Sequence, residues 1–258
     1  MTEFDEGPPP AFATHLSNHP DYSPHRDLFW FDWGPIFYRG RLDGSARVLC
    51  VASDPGATER IAMRILEGDA GQRVQGFLAK IGVTRSYICF NAFVYALHPG
   101  QASQAKPILS EPGQIAWRNT LFDMVKTPDL QAVVAFGVNA QKAVQLWPGK
   151  ASLPVFNIPH PTSHVASTIV AKWSAAVPAL RATVTPDVDG DPTLPNYSGG
   201  DLVEDDYRRV PLFDLPFGVP EWLGDDSWVR TGANAGRTSV TRPHSDPLHS
   251  LLWRAPEM

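Results

Sequence analysis

The sequence is poor in cysteine, in long apolar runs and in net positive charge. Only two cysteines occur among 258 residues, and both Cys50 and Cys89 lie inside short apolar runs, which favours buried free thiols over a disulfide or a metal cluster. No stretch approaches the ~20 apolar residues of a membrane-spanning helix, and the first residues lack the basic start and apolar centre of a secretory signal. A cytoplasmic protein without a membrane partner is therefore expected.

The net charge of -5 by itself argues against a nucleic-acid ligand, but the charges are unevenly distributed. Residues 30–184 contain 15 lysines and arginines against 9 acids, whereas residues 185–258 contain 6 against 13. The mildly basic middle part is compatible with binding a polyanion. A solvated acidic tail on an ordinary enzyme explains the same distribution equally well.

The length of the chain and its 43% of hydrophobic residues are sufficient for one large domain with extensions. Apolar runs bounded by turn residues alternate with segments of helical spacing. The predicted strands are residues 48–52, 87–92, 130–137 and 155–158. The predicted helices are residues 58–66, 71–81, 115–126, 139–147 and 166–180. This alternation predicts a three-layer α/β/α sandwich with a central, mainly parallel four-stranded sheet.

The segments outside this alternation are predicted to be irregular. Residues 1–24 are rich in proline and histidine, and residues 97–112 are rich in proline, glycine, glutamine and serine. Beyond residue 184 the periodicity stops, and nine prolines follow. We therefore predict a domain over residues 1–184 and a Pro/Gly-rich acidic C-terminal extension over residues 185–258, to which no separate fold is assigned.

Polar side chains follow three of the predicted strands at their carboxyl ends. Ser53 and Asp54 come after the first strand, Asn91 lies at the end of the second, and His160 follows the fourth. Because open α/β sheets place their sites at this edge, we expect these groups to meet there. Taken singly, Asp54 is typical of a turn, Asn91 of a backbone contact and His160 of a rigid loop. Their combination favours a site that breaks a bond to a heterocycle.

Five short segments occur in an order that characterises a known family. They are Asp54-Pro55-Gly56, Ala70-Gly71-Gln72, residues 87–91 (YICFN), residues 133–137 and His160-Pro161-Thr162-Ser163. In this order, over about residues 48–180, the chain resembles the uracil-DNA glycosylase superfamily, whose uracil-specific branch has the motifs Gly-Gln-Asp-Pro-Tyr and His-Pro-Ser-Pro. The resemblance implies a uracil-DNA glycosylase-like fold. It also implies a DNA-repair enzyme that flips uracil out of DNA and hydrolyses its N-glycosidic bond.

The resemblance implies roles for individual residues. Asp54 is expected to position the attacking water and stabilise the cationic sugar, and His160 to donate a hydrogen bond to uracil O2. Asn91 is expected to recognise O4 and N3–H, whose polarities are reversed in cytosine. The further residues expected to contact uracil are Ser53, Gly56, Leu66 and Phe90, and those expected to contact DNA are Thr162, Ser163 and His164. The expected partner is uracil-containing DNA, single-stranded or duplex, bound by a monomer without metal or cofactor.

The sequence departs from the family pattern at three points. No aromatic residue lies between Pro55 and Phe77, where the family usually stacks a phenylalanine on uracil. Leu66 takes that place, so either an aromatic residue from elsewhere, such as Phe90 or Phe93, moves in, or stacking on the base is weak. Gly56 stands where the uracil-specific branch has the tyrosine that excludes thymine. The two cysteines are too few for the four-cysteine iron–sulfur cluster of another branch.

Two other functions are compatible with the sequence. The first is a protein of the same fold that binds uracil-containing DNA without turnover or captures its sugar covalently. The branch that does so uses a histidine on an inserted loop, for which His98 is the nearest candidate, although an exposed loop histidine before Pro99 is the commoner explanation. The second is an enzyme that acts on free nucleosides.

Overall fold

The fold is a mixed α/β structure built on a five-stranded sheet. The computed structural model describes residues 4–163 and 165–217, together with the backbone of residues 239–241 and 252–254, so His164 lies outside the described residues. The strands of the sheet are β1 Tyr38–Gly40, β2 Val48–Ala52, β3 Tyr87–Asn91, β4 Ala132–Phe136 and β5 Val155–Ile158. Their order across the sheet is β1-β3-β2-β4-β5. Two short strands near the C-terminus, β6 Ser239–Thr241 and β7 Leu252–Arg254, pair antiparallel with each other.

The five-stranded sheet is parallel except at one edge. β2 pairs in parallel with β3 and β4, and β4 pairs in parallel with β5, whereas β1 pairs antiparallel with β3. The predicted α/β class with a mainly parallel sheet is confirmed. The predicted number of four strands is wrong, because β1 has only three residues and is too short to show a strand pattern in the sequence.

The described residues form seven α-helices. They are α1 Pro10–Ser17, α2 Glu59–Ala62, α3 Asp69–Lys80, α4 Ala102–Ala105, α5 Pro112–Val125, α6 Gly137–Gln145 and α7 Ala166–Thr183. The predictions of α3, α5, α6 and α7 are confirmed, with ends displaced by at most three residues. α1 and α4 occur in segments predicted to be irregular, so that prediction is wrong there. No helix among these is both long enough and apolar enough to cross a membrane.

The helix predicted over residues 58–66 is wrong beyond its first turn. Only α2 is helical, and Met63 and Leu66 have left-handed backbone conformations with φ of 55° and 56°. This conformation is disfavoured for residues with a Cβ atom. Gly71 permits a close approach here, since a Cβ atom on it would lie 1.6 Å from the carbonyl oxygen of Leu66. The early end of α2 leaves Leu66 and Gly68 free to line a cavity beside the loop after β2.

The core has one part on each face of the sheet. On one face, Leu49 and Val51 of β2 pack in a cluster that includes residues of α5 and α6. On the other face, Val48 and Cys50 pack in a cluster that includes residues of α3 and α7. The alternation along β2 follows from the two-residue period of a strand. Helices therefore cover both faces of the sheet, and Cys50 is a buried free thiol, as is Cys89.

Residues 185–217 follow α7 and contribute buried acids to the structure. Asp187 accepts backbone N–H bonds at Oδ2 from Thr84, Arg85 and Ser86, at 2.8, 2.8 and 3.0 Å. Burial raises the pKa of Asp187, but hydrogen bonds from Ser86 and the neighbouring amides outweigh it and leave the pKa below its ordinary value. Asp187 thereby ties this segment to the turn that precedes β3.

Asp214 makes the deepest contact of this segment. Its side chain is fully buried, and Oδ2 lies 2.9 Å from Nη1 of Arg39, which is also fully buried. Arg41 contacts the other carboxylate oxygen, and the Tyr87 hydroxyl donates to Asp214. A carboxylate with these partners remains compatible with burial. The first part of the predicted extension is thus packed into the interior beside β1 and β3.

Replacing Asp214 by alanine is expected to destabilise the protein by about 3–5 kcal/mol, because Arg39 then remains buried without its carboxylate partner. Denaturant unfolding followed by circular dichroism measures the change. Asp205→Ala removes an exposed carboxylate from the same segment and should change the free energy of unfolding by less than about 0.5 kcal/mol. Equal effects of the two substitutions would show that the buried ion pair does not hold this segment in place.

Candidate active site

A cavity of about 470 Å³ lies at the carboxyl ends of β2, β4 and β5. Parallel pairing places the loops after these strands at one edge of the sheet. The cavity is lined by residues 53–59, 68–70 and 136–139, with Leu66, Ala102, His160 and Thr162. Pockets of ~300–1,000 Å³ are typical of small-molecule sites. The cavity is therefore large enough for a ligand of that class.

Asp54 lies in this cavity, directly after β2. Its Oδ2 accepts the backbone N–H of Leu97 at 3.1 Å. Burial raises the pKa of the Asp54 carboxyl to about 6, the hydrogen bonds from Ser53 and Leu97 oppose this rise, and nearby Glu59 adds to it. At neutral pH the carboxyl is mostly ionised but holds a proton more readily than an exposed aspartate.

His160 lies in the same cavity, in the loop after β5. Its Nδ1 lies 3.3 Å from the backbone N–H of Thr162, which donates to it, and 3.0 Å from the Thr162 hydroxyl oxygen. Because Nδ1 accepts a hydrogen bond from an amide, this pattern assigns the ring proton to Nε2. Burial lowers the pKa of His160 to about 4, and the positive charge of Arg73 contributes. His160 is thus a neutral imidazole with Nε2–H as its donor.

Two neighbours fix the loop that carries His160. Arg73 on α3 forms a salt bridge with Asp69 at 2.7 Å and donates a hydrogen bond to the carbonyl of Pro161. Gly137 begins α6 with a φ of 84°, and a Cβ atom there would lie 3.0 Å from the Cβ of His160. Glycine at this position therefore permits both the turn after β4 and its close approach to the histidine.

Three of the residues expected to contact uracil line the cavity: Ser53, Gly56 and Leu66. Leu66 contributes an aliphatic wall from the segment after α2. Gly56 is exposed, and a Cβ atom on it would lie 2.7 Å from Oε2 of Glu59. A side chain at Gly56 would therefore displace either the loop or this carboxylate.

Asn91 and Phe90 do not line the cavity. Asn91 is 5% exposed and pairs in register with Ala52, which precedes Ser53. Its Oδ1 is buried with no hydrogen-bond partner among the described residues. Phe90 points into the core on the face of the sheet that α5 and α6 cover. There its ring centroid lies 6.0 Å from that of Phe122. The position of Phe90 argues against the contact with uracil that was expected for it.

The loop expected to contact DNA lies at the cavity only in part. Thr162 is exposed and lines the cavity, whereas the Ser163 backbone N–H donates to the His160 carbonyl at 3.0 Å and closes a tight turn. His98, the candidate for covalent capture, packs against Trp30 with the two ring centroids 4.0 Å apart. It does not line the cavity.

Sequence reasoning missed Glu59, Phe136 and Asn139, which all line the cavity. Glu59 is buried, its Oε1 accepts the backbone N–H of Glu67 at 3.1 Å, and burial raises its pKa. Phe136 is the last residue of β4, and its buried ring packs against those of Phe77 and Trp173. Asn139 donates from Nδ2 to the Ser53 hydroxyl oxygen at 3.0 Å. The rule that found Asp54 and His160 also applied to the end of β4 and would have identified Phe136 and Asn139.

Among the described residues, no cluster of three or more histidine, cysteine, aspartate or glutamate side chains could hold a metal ion. Cys50 and Cys89 are register partners on β2 and β3, inside the sheet. The cavity instead contains acid, imidazole and amide groups on an apolar wall. No protein-family model matches the chain, and no curated protein matches it significantly.

Proposed function

We propose that the protein is a monofunctional uracil-DNA glycosylase, which hydrolyses the N-glycosidic bond of deoxyuridine in DNA and leaves an abasic site. The observation that carries this proposal is that an aspartate and a neutral histidine, from the loops after β2 and β5, line one cavity. Breaking this bond develops positive charge on the sugar and negative charge on the base. A carboxylate and a hydrogen-bond donor are the groups that stabilise these two charges.

Asp54 has the properties that the sugar side of the reaction requires. Its carboxyl is mostly ionised at neutral pH, since its pKa is about 6. Its charge stabilises the oxocarbenium-like sugar, and one of its oxygens orients a water molecule toward C1′. The water oxygen bonds to C1′, the C1′–N1 electron pair leaves with uracil, and a water proton passes to the carboxylate or to solvent.

His160 has the properties that the leaving-group side requires. Because Nδ1 accepts from Thr162, Nε2–H is available as a donor to uracil O2. A neutral imidazole suffices, since a donor already held in place needs no reorganisation when negative charge develops on the base. The low pKa of His160 keeps the ring neutral across the physiological range.

Asn91 supports a nucleobase as the ligand. A buried amide oxygen without a partner is costly and calls for an explanation in a native protein. In the proposed complex the amide pairs with the O4 and N3–H edge of uracil and rejects cytosine, which would leave buried polar groups unpaired. Since Asn91 does not line the cavity, this contact requires a side-chain shift when the base enters.

DNA is proposed to present its uracil to the cavity as an extruded base. The target nucleotide must leave the helix to reach Asp54, and a mismatched or single-stranded uracil is the least costly to extrude. Thr162 at the cavity, with the adjacent Ser163, is proposed to contact the phosphate backbone. The proposed enzyme acts as a monomer without a cofactor and has the three-layer fold of the uracil-DNA glycosylase superfamily.

Asp54→Asn is expected to lower the turnover number on uracil-containing DNA by at least about 100-fold with little change in binding, because the amide carries no charge to stabilise the sugar. Single-turnover rates on a labelled oligonucleotide, with binding measured by fluorescence anisotropy, separate the two effects. Asp129→Asn, an exposed aspartate outside the cavity, is the matched control and should retain the wild-type rate. A near-wild-type rate for Asp54→Asn would remove the assigned role.

The pH dependence of kcat/KM is expected to show one acidic limb near pH 6. Activity requires ionised Asp54, whose pKa is about 6, so the rate should fall about tenfold per pH unit below that value and level off above it. His160 should add no loss until the pH approaches 4, where it becomes protonated. Rates measured from about pH 4.5 to about pH 8.5 test this. A profile that stays flat down to pH 5 would contradict the requirement for ionised Asp54.

A further inference from the structure

The backbone carbonyls on both sides of His160 are held by side chains from two helices. Nε1–H of Trp173, on α7, donates to the carbonyl of Pro159, with 3.0 Å between the nitrogen and the oxygen. Arg73, on α3, donates to the carbonyl of Pro161. Because these carbonyls directly flank His160, the two hydrogen bonds fix the backbone from which the imidazole projects.

Each of these two side chains is in turn supported by a tyrosine from the segment that follows α7. The ring of Tyr197 packs edge-on against that of Trp173 with the centroids 5.8 Å apart, and both residues are buried. The guanidinium carbon of Arg73 lies 5.4 Å from the ring centroid of Tyr207, within the ~6 Å range of a cation–π interaction. The side chains that hold the His160 loop therefore rest on the predicted C-terminal extension.

The chain on either side of Tyr207 is fixed to α3. Asp206 is 4% exposed, and its Oδ1 lies 3.0 Å from Nζ of the buried Lys80. The backbone N–H of Arg208 donates to the carbonyl of Gln72 at 3.1 Å. Tyr207 thus lies between two anchored neighbours, and its ring is held in place against the arginine.

Asp69 limits the orientation of the Arg73 side chain further. The two residues are one turn apart on α3, and their salt bridge has a nitrogen–oxygen distance of 2.7 Å. Asp69 also lines the cavity. A guanidinium presents its donors in one rigid plane. With Nη2 on Asp69, Nη1 on the Pro161 carbonyl and the Tyr207 ring beside it, the arginine links the cavity, the loop after β5 and the extension.

These contacts contribute little to stability but matter for the aim of a donor. The salt bridge is partly solvated and the ring contact is a single cation–π pair, so each is a weak stabilising interaction. The hydrogen bond that His160 is proposed to make to the base is strongly directional. A displacement of about 1 Å in such a group can lower a rate by about 100-fold.

We propose that residues 197–208 are a positioning element for His160: Tyr197 and Tyr207 support Trp173 and Arg73, which hold the loop that carries the histidine. The catalytic meaning of this inference rests on the proposed function. No residue of this stretch lines the cavity, so the stretch acts through the loop and does not contact a base bound there. A boundary at residue 184 would separate the site from part of its support.

The test is a nitrogen-15 NMR measurement of the His160 ring in the full-length protein, with its signals assigned by their loss in His160→Gln. Tyr207→Ala removes the ring but keeps the charge of Arg73, so a change at His160 reports geometry. Tyr197→Leu removes the other supporting ring, and Tyr207→Phe keeps its ring. Phe213→Ala is the matched control, because Phe213 lies in the same segment with two arginines at 5.0 and 4.5 Å from its ring centroid but does not line the cavity.

The wild-type ring is expected to show one neutral tautomer, with its proton on Nε2. Tyr207→Ala and Tyr197→Leu should each introduce the second tautomer, because a looser loop weakens the hydrogen bond from the Thr162 amide to Nδ1. Tyr207→Phe and Phe213→Ala should resemble wild type. An unchanged ring in either tyrosine variant, or the same change in Phe213→Ala, would overturn the proposal. If Tyr207→Ala does not fold, Tyr207→Leu replaces it, since leucine fills more of the space and lacks the ring.

The kinetic readout separates positioning from a general structural effect. On uracil-containing DNA, Tyr207→Ala should lower kcat about tenfold and leave KM nearly unchanged, since Tyr207 does not line the cavity. Arg73→Met should lower kcat at least as much, and the double substitution no further than Arg73→Met alone. Additive losses would overturn the action through Arg73.

The two proposals fail separately. Absence of uracil release by the wild type, with the tautomer change in Tyr207→Ala intact, would remove the glycosylase function and leave the action of Tyr207 on His160 standing. Uracil release by the wild type with an unchanged His160 ring in Tyr207→Ala would do the reverse.

Discussion

In the sheet, β4 pairs in parallel with β2 on one side and with β5 on the other, so the chain leaves these three strands at the same edge. Residues far apart in the sequence thereby meet in one cavity: Asp54 after β2, Asn139 after β4 and His160 after β5. Close approaches maintain the arrangement. Gly137 allows the turn after β4 to touch His160, and Arg73 holds the same loop from α3.

Burial then sets the protonation of the two central groups. Removing a group from water disfavours its charged form, so the pKa of Asp54 rises to about 6 and that of His160 falls to about 4. Between these values lies a pH range in which both groups are neutral. Above it, the carboxylate is ionised beside a neutral imidazole donor. This combination of charge and donor is the one that the proposed cleavage of a glycosidic bond needs at neutral pH.

Periodicity and turn residues in the sequence were sufficient to predict β2 to β5 and the helices α3, α5, α6 and α7, because each buries a clear apolar pattern. β1 was not predicted and α2 was predicted too long, because tertiary contacts determine both. β1 exists through its pairing with β3, and α2 ends early where the chain bends around Gly71. The burial of Asp187 and Asp214 was not predicted, because both lie in a segment whose composition is typical of an acidic tail.

In the site, too, sequence patterns predict some features and tertiary contacts determine the others. Ser53, Asp54 and His160 line the cavity, where the rule that strand ends carry the site leads one to expect them, and Asn139 follows from the same rule but was overlooked. Leu66 also lines the cavity, but it was expected there only from the family resemblance. Phe90 does not line the cavity, because strand alternation directs its side chain into the core on the face of the sheet covered by α5 and α6. Side-chain hydrogen bonds such as that from Asn139 to Ser53 depend on tertiary packing and could not be predicted from the sequence.

The most direct test of the central claim is an assay with wild-type protein and a labelled oligonucleotide that carries a single uracil, in single-stranded and mismatched duplex form. The account predicts release of free uracil over many turnovers and strand cleavage that depends on alkali, as expected for an abasic product. A protein–DNA band that survives denaturation, release from free deoxyuridine alone, or no product from either DNA would contradict it.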